Sequence, residues 1–232
     1  MINRARPQPL PIENRKFPMN RSYEPIMQRP EFVYFDLGNV LCFFDHEVSV
    51  RQMAEVAQCD PATIRELVFE SELEHCYETG LITGEEFVAE IAEKLGRSIS
   101  VDHMLEAASA IFRPNLDVLP VLKAIRDAGV PMGLLSNTNQ SHWQWIVRQN
   151  YSVVNGWFDP IVLSYEVKSM KPARTIYDIA TRRAGVPAER IFFTDDRSDN
   201  IEGAKAVSWQ VSQFIDAESL LGVVRSWCHL TR

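Results

Sequence analysis

The rhythm of apolar residues changes twice along the chain. Up to Pro30 they are sparse and follow no period. Phe32–Phe35 is then a short, unbroken apolar run ending in Asp36, the pattern of a parallel strand buried on both faces. From residue 46 to residue 112 the spacing is helical. Val48, Met53, Val56 and Ala57 mark one stripe, and Pro61 opens a second helix carrying Ile64, Leu67 and Val68. Thr83-Gly84-Glu85-Glu86 has capping-box spacing ahead of Phe87, Val88, Ile91 and Leu95. Met104, Leu105, Ala108 and Ile111 mark a fourth helix.

After Pro114 helices and strands alternate. Val118, Leu122 and Ile125 form a helical stripe that stops at Gly129. Pro131–Leu135 is predicted as a strand, with Ser136-Asn137-Thr138-Asn139 as its exit loop and a helix following through Trp145 and Val147. Ile161–Leu163 is a strand, Thr175–Ala184 a helix, Ile191–Phe193 a strand running into Asp195-Asp196, Ile201–Val207 a helix and Trp209–Phe214 a last strand. Such alternation implies parallel strands joined by right-handed crossovers. The expected class is therefore α/β, a Rossmann-like parallel sheet core with an inserted all-helical cap domain. The core domain spans 31–44 and 113–232, the cap spans 45–112, and a Pro/Arg-rich N-terminal arm spans 1–30.

Composition narrows the function. The 232 residues are 46% hydrophobic, enough for a buried core, and no stretch is long and apolar enough to span a bilayer. No apolar h-region of a secretory signal is present. Cys42, Cys59, Cys76 and Cys228 lack metal-site spacing and read as reduced thiols, so a cytoplasmic setting is expected. Net charge is -7, yet residues 1–30 carry six Lys/Arg against two Glu, leaving -11 on the rest. An acidic body argues against nucleic-acid partners. The arm holds six of the 13 prolines. Three readings stay open for it: a loosely packed extension or early start, with Met19 and Met27 as later candidates; an arm docked on a partner subunit; an organelle transit peptide. A homodimer is likewise left open.

The chemistry gathers at the strand ends, where open α/β sheets bind ligands. Asp36, Ser136-Asn137 and Asp195-Asp196 each end a strand, and Lys171 follows in Ser169-Met170-Lys171-Pro172. Together they supply a carboxylate nucleophile, hydroxyl and amide donors, a fixed cation and an acidic pair. Aspartate can carry a phosphoryl group as a covalent intermediate, magnesium takes oxygen ligands, and lysine acts as a point charge on phosphate. Taken singly, Asp36 reads more readily as a helix cap or turn former, Ser136-Asn137 as part of a polar turn and Asp195-Asp196 as a helix cap, while Lys171-Pro172 says little.

In order, the set resembles the four motifs of the haloacid dehalogenase (HAD) superfamily of hydrolases. Phe35-Asp36-Leu37-Gly38-Asn39-Val40-Leu41 matches the first, Leu134-Leu135-Ser136-Asn137 the second and Lys171-Pro172 the third. Phe193-Thr194-Asp195-Asp196, followed by Asn200-Ile201-Glu202-Gly203-Ala204, matches the fourth. The similarity covers about residues 31–215. It is especially similar to the bacterial α-D-glucose-1-phosphate phosphatase branch, and also similar to the phosphatase domain of soluble epoxide hydrolase. The resemblance implies a Mg²⁺-dependent phosphatase acting on a small phosphorylated metabolite, in particular a sugar phosphate. Asp36 would be its nucleophile and a metal ligand. Ser136 and Asn137 would hold phosphoryl oxygens, and Lys171 would bridge nucleophile and phosphate. Asp196 would ligate the metal, Asp195 would ligate it or orient its water, and Gly38 would offer its carbonyl.

Gly38 departs from the family pattern, which places a second Asp there as acid and base. Such catalysis contributes about 10²–10⁴-fold. Asp45 and His46, at the hinge to the cap, are candidate replacements, with helix capping as their plainer role. A sugar 1-phosphate, whose leaving hydroxyl is comparatively acidic, would need less help. Two alternatives follow: 2-haloacid dehalogenation, which also uses an attacking Asp, and a non-catalytic module that binds a phosphorylated ligand or a protein. Within the cap, the turn Tyr77-Glu78-Thr79-Gly80 is a candidate for facing the substrate, with Gly80 allowing close backbone approach. Arg113 stands at the return to the core, as an anion-steadying group or a surface ion pair. Trp143, Trp145 and Trp157 are expected to pack.

Overall fold

The computed structural model describes residues 29–227. The arm, but for its last two residues, and Cys228 lie outside them. Among the described residues the strands, in chain order, are β1 (Phe32–Phe35), β2 (Cys42–Phe43), β3 (Arg113–Pro114), β4 (Met132–Ser136), β5 (Ile161–Leu163), β6 (Ile191–Asp195) and β7 (Gln210–Gln213). Five of them form one parallel sheet in the order β5-β4-β1-β6-β7, so β1 sits at its centre.

The unbroken apolar run of β1 is explained by its two covered faces. Val33 and Phe35 pack with Leu134, Phe192, Leu122 and Trp227 on one side. Phe32 and Tyr34 pack with Leu135, Phe193, Ile176 and Trp209 on the other. A strand buried on both faces has no polar positions to alternate.

Between β2 and β3 lie five helices: α1 (His46–Ala57), α2 (Pro61–Ile64), α3 (Leu73–Glu78), α4 (Gly84–Leu95) and α5 (Val101–Ser109). They enclose an apolar core of their own, in which Val50, Met53, Ile64, Phe87, Val88, Ile91 and Met104 are buried. The capping box expected at Thr83 is formed: its hydroxyl accepts the Glu86 N–H at 3.2 Å, and the Glu86 carboxylate accepts the Thr83 N–H at 2.7 Å. The remaining helices are α6 (Leu119–Asp127), α7 (Gln140–Gln149), α8 (Ser164–Val167), α9 (Arg174–Ala184), α10 (Ser198–Lys205) and α11 (Ala217–Trp227). No helix among the described residues is long and apolar enough to cross a membrane.

The outline matches the expected α/β class, and the differences have physical reasons. β4 and β6 run on into Ser136 and Asp195, because the backbone ladder continues there regardless of side-chain polarity: Ser136 pairs with Leu163 and Asp195 with Gln213. The ribbon of β2 and β3 is too short to leave a period in the sequence. Helix α8 has only four residues, and α11 lies beyond the segment the motifs cover.

Candidate active site

Register brings the motif residues together. Phe35 of β1 is paired with Leu134 and Thr194, so the next residue, Asp36, emerges between the ends of β4 and β6. Its N–H is bound to the Thr194 carbonyl at 3.0 Å, and it is buried. Lys171 reaches the same point from the loop after α8. Asn137 fixes that loop reciprocally: its Oδ1 accepts the Lys171 N–H at 2.7 Å and its Nδ2 donates to the Lys171 carbonyl at 2.8 Å.

The Lys171 ammonium spends all three of its donors within the site. Nζ donates to Asp36 Oδ1 at 2.6 Å, to Asp195 Oδ2 at 2.6 Å and to the Leu135 carbonyl at 2.9 Å. Burial works against this cation, but Asp195 and Asp36 outweigh it and hold its pKa above the ordinary lysine value. The same burial pushes the Asp36 carboxyl up, against the pull of Lys171.

Asp195 is fully buried and fully engaged. Oδ1 accepts the Arg197 N–H at 2.9 Å, Oδ2 accepts Lys171, and Asn200 Nδ2 lies 3.0 Å from both oxygens. Asp196 is half-buried and accepts from Asn39 Nδ2 at 3.1 Å. Burial raises its pKa too. Asp36, Asp195 and Asp196 each offer an oxygen within 4.8 Å of the others'. A trio of acids with one lysine carries surplus negative charge, and its hard oxygen donors suit a small divalent cation. Ser136 is buried at the end of β4, its hydroxyl 3.2 Å from the Asn137 carbonyl.

A side chain at Gly38 would collide with its surroundings. A Cβ there would stand 2.8 Å from the Phe44 ring, which occupies the space. Asp45, offered as a replacement acid, serves as the N-cap of α1, accepting the Glu47 N–H at 2.8 Å. His46 meets Phe44 and Phe69 edge-on and lies 3.8 Å from Glu74.

His46 belongs to a cleft between the helical insert and the start of α7. Its polar lining is His46, Ser49, Glu74, Tyr77, Asn139 and His142; the rest is apolar, and no Lys or Arg lines it. Burial sets the charge state there. Glu74 is pushed up to about 8, His46 is lowered and His142 is pulled down to about 4, so at neutral pH the cleft is close to uncharged.

The turn Tyr77-Glu78-Thr79-Gly80 does face the core, but Gly80 serves a different approach from the expected one. At φ +67° it lies so close to α8 that a Cβ would stand 2.2 Å from the Tyr165 carbonyl. Arg113 is exposed, its guanidinium 4.3 Å over the Phe43 ring. Trp143, Trp145 and Trp157 are half-buried against the core, as expected of packing residues.

Sequence reasoning missed Ser164, Glu74, Asn139 and His142. Ser164 had a findable signal, since it too follows a buried strand. Its hydroxyl accepts the Thr138 N–H at 2.9 Å and reaches the Glu78 carbonyl at 2.7 Å.

Comparisons with known proteins agree with this geometry. A family model described as a haloacid dehalogenase-like hydrolase matches residues 31–208. D-ribitol-5-phosphate phosphatase of Bacteroides thetaiotaomicron is 25% identical over 186 residues, 78% of this chain and 90% of that protein. An (S)-2-haloacid dehalogenase of Pseudomonas fluorescens is 32% identical over 95 residues, 41% of this chain and 40% of its own. Among solved structures, a HAD family enzyme of Bacteroides thetaiotaomicron in complex with magnesium and inorganic phosphate aligns with a TM-score of 0.69 at 27% identity. That alignment covers 79% of this chain and 93% of the other.

Proposed function

Because the chain belongs to the haloacid dehalogenase-like hydrolase family, we propose that it is a magnesium-dependent phosphatase of a small sugar or polyol phosphate. The observation that carries this reading is the Lys171 ammonium bridging Asp36 and Asp195 at 2.6 Å each, with a third acid, Asp196, alongside. An attack at the carbon of a haloacid gains nothing from clustered acids. Phosphoryl transfer does, through the cation they hold. The D-ribitol-5-phosphate phosphatase relative and the magnesium and phosphate bound by the solved neighbour support the same choice.

Asp36, the Gly38 carbonyl and Asp196 would hold the magnesium ion. Asp195, its acceptor positions taken by Lys171, Asn200 and the Arg197 N–H, would orient the site from behind. When bound, the ion offsets the repulsion between an anionic nucleophile and an anionic phosphate. Lys171, anchored on Asp36 Oδ1, keeps that carboxylate from rotating and adds a fixed positive charge beside the phosphoryl oxygens. Ser136 and Asn137 bind those oxygens. A carboxylate oxygen of Asp36 attacks phosphorus while the bond to the leaving oxygen breaks, giving an aspartyl-phosphate and a hydroxyl product. Water then attacks the same phosphorus, which releases inorganic phosphate and restores Asp36.

A leaving group that reached this cleft would meet polar groups of little net charge, which supports a neutral, hydroxylated one. A carboxylate-bearing substrate, such as a 2-haloacid, would find no Lys or Arg there to answer its charge. The free thiols of Cys42, Cys59 and Cys76 support the expected cytoplasmic setting.

A panel of sugar and polyol phosphates, assayed with and without Mg²⁺, tests the reading. Phosphate release is expected to need Mg²⁺ and to fall by roughly 10⁴-fold or more in Asp36→Asn. Metal-independent turnover, or chloride release from chloroacetate, overturns it.

A further inference from the structure

Breaking the bond to a sugar or polyol oxygen requires a proton for that oxygen. The charged residues at the strand ends have none to give. Lys171 has its three donors committed, and losing one would strip both carboxylates of their partner. Asp36 is the reacting group, Asp195 accepts on every side, and Asp196 belongs to the cation. Gly38 has no side chain, and the Phe44 ring fills the space beside it.

The end of α3 that faces the core does hold a suitable group. Helix α3 ends at Glu78, and three contacts fasten this end to the core. The Glu78 carbonyl is reached by the Ser164 hydroxyl at 2.7 Å, and that hydroxyl also accepts the Thr138 N–H, two residues beyond Ser136. Lys168 Nζ donates to the Gly80 carbonyl. The Thr79 hydroxyl lies 2.9 Å from the sulfur of Met170, the residue before Lys171. The Glu78 carboxyl is half-buried and makes no side-chain hydrogen bond to another described residue. The charges acting on it are those of Arg197, after β6, and Lys171, after α8. Glu74 stands one turn earlier on α3 and feels the Glu78 charge.

We propose that Glu78 is the acid and base of this reaction. As the phosphorus–oxygen bond breaks, Glu78 gives its proton to the leaving oxygen. It then takes a proton from the water that attacks the aspartyl-phosphate, which returns it to its starting form. Burial supports the assignment: it pushes the Glu78 carboxyl up to about 7, against the pull of Arg197 and Lys171. Both forms therefore coexist near neutral pH, where a general acid–base group works best. The inference rests on the phosphatase reading.

The test compares two substrates on the Mg²⁺-loaded enzyme. Nitrophenolate departs from p-nitrophenyl phosphate without a proton, whereas a polyol leaves only with one. Glu78→Gln is expected to lower kcat on the polyol phosphate by about 10²–10⁴-fold without a burst. On p-nitrophenyl phosphate it is expected to release one equivalent of nitrophenolate rapidly and then stall with Asp36 phosphorylated. Glu78→Asp, which keeps an acid one methylene shorter, is expected to turn over slowly and to retain a pH-dependent kcat/KM that the Gln variant lacks. Equal losses on both substrates without a burst, in a Gln variant that melts like the wild type, overturn the proposal. So does an unchanged pH profile. Wild-type protein that releases no phosphate with Mg²⁺ present overturns the phosphatase reading instead.

Discussion

The strand ends of the core and the groups gathered beside the insert treat charge in different ways. On the core side each ionised group is answered: Lys171 by Asp36 and Asp195, Asp195 again by Asn200, Asp196 by Asn39. On the side of the insert, burial drives the ionisable groups toward neutrality. Glu74 rises to about 8 and Glu78 to about 7, and His142, on the core helix α7 that meets the insert, falls to about 4. The contrast fits a substrate with two ends. A pre-organised charged floor suits a phosphoryl group, since fixed dipoles and ions need no rearrangement as charge moves. A neutral roof suits hydroxyls, which want donors and acceptors rather than ions.

Breaking the floor should have the largest effect. Lys171→Met leaves two buried carboxylates facing each other without a counter-ion. Removing one partner of a buried ion pair costs about 3–5 kcal/mol, so denaturant unfolding should show a loss of that order, along with activity. A variant of wild-type stability would mean that the floor is less tightly coupled than its geometry implies.

Loosening the join between floor and roof comes next. Ser164→Ala takes away the acceptor of the buried Thr138 N–H and the hydroxyl at the Glu78 carbonyl. A buried group left unpaired costs about 1–3 kcal/mol. The expected signature is that loss of stability together with a raised KM. An unchanged KM would show that the roof needs no such latch.

The smallest effect tests the roof's neutrality. Because the folded-state pKa of Glu74 is raised from 4.5 to about 8, the folded protein holds a proton that the unfolded chain has already lost. This contribution is fully present below about 4.5 and fades as pH rises through about 8. Thermal melts of wild type should therefore fall across that window, and those of Glu74→Gln should fall less. Parallel curves would place Glu74 in a wetter setting than the cleft suggests.

The same contrast explains what was legible beforehand. The floor is spelled in short motifs at strand ends, and a strand buried on both faces announces itself by an unbroken apolar run such as Phe32–Phe35. Asp36, Ser136, Asn137, Lys171, Asp195 and Asp196 could therefore be named, and the structure brings them together. That Asp195 is Lys171's anchor was not readable, because it depends on Asn200 folding back from α10 onto both carboxylate oxygens. The roof is assembled from single residues on separate helices. Glu74 and His142 lie 68 positions apart in the numbering, and nothing in either neighbourhood marks them. Their chemistry comes from burial, which only the packed insert creates. Gly80 shows the intermediate case: its need for close approach was readable, while the partner, Tyr165 of α8, was not.

The ribbon of β2 and β3 has a mechanical consequence. The backbone crosses between core and insert twice, and the crossings are laced antiparallel, Cys42 to Pro114 and Phe43 to Arg113. Asn115 tightens the lacing through its side chain, which donates to the Val40 carbonyl at 2.8 Å, and through its N–H, bound to Leu41 at 2.9 Å. Two independent tethers would let the insert swivel and slide. Two tethers sewn edge to edge act as a door hinge, leaving one inexpensive direction of travel. The ribbon thus limits how the insert, and Glu78 with it, can shift against the core that carries Asp36.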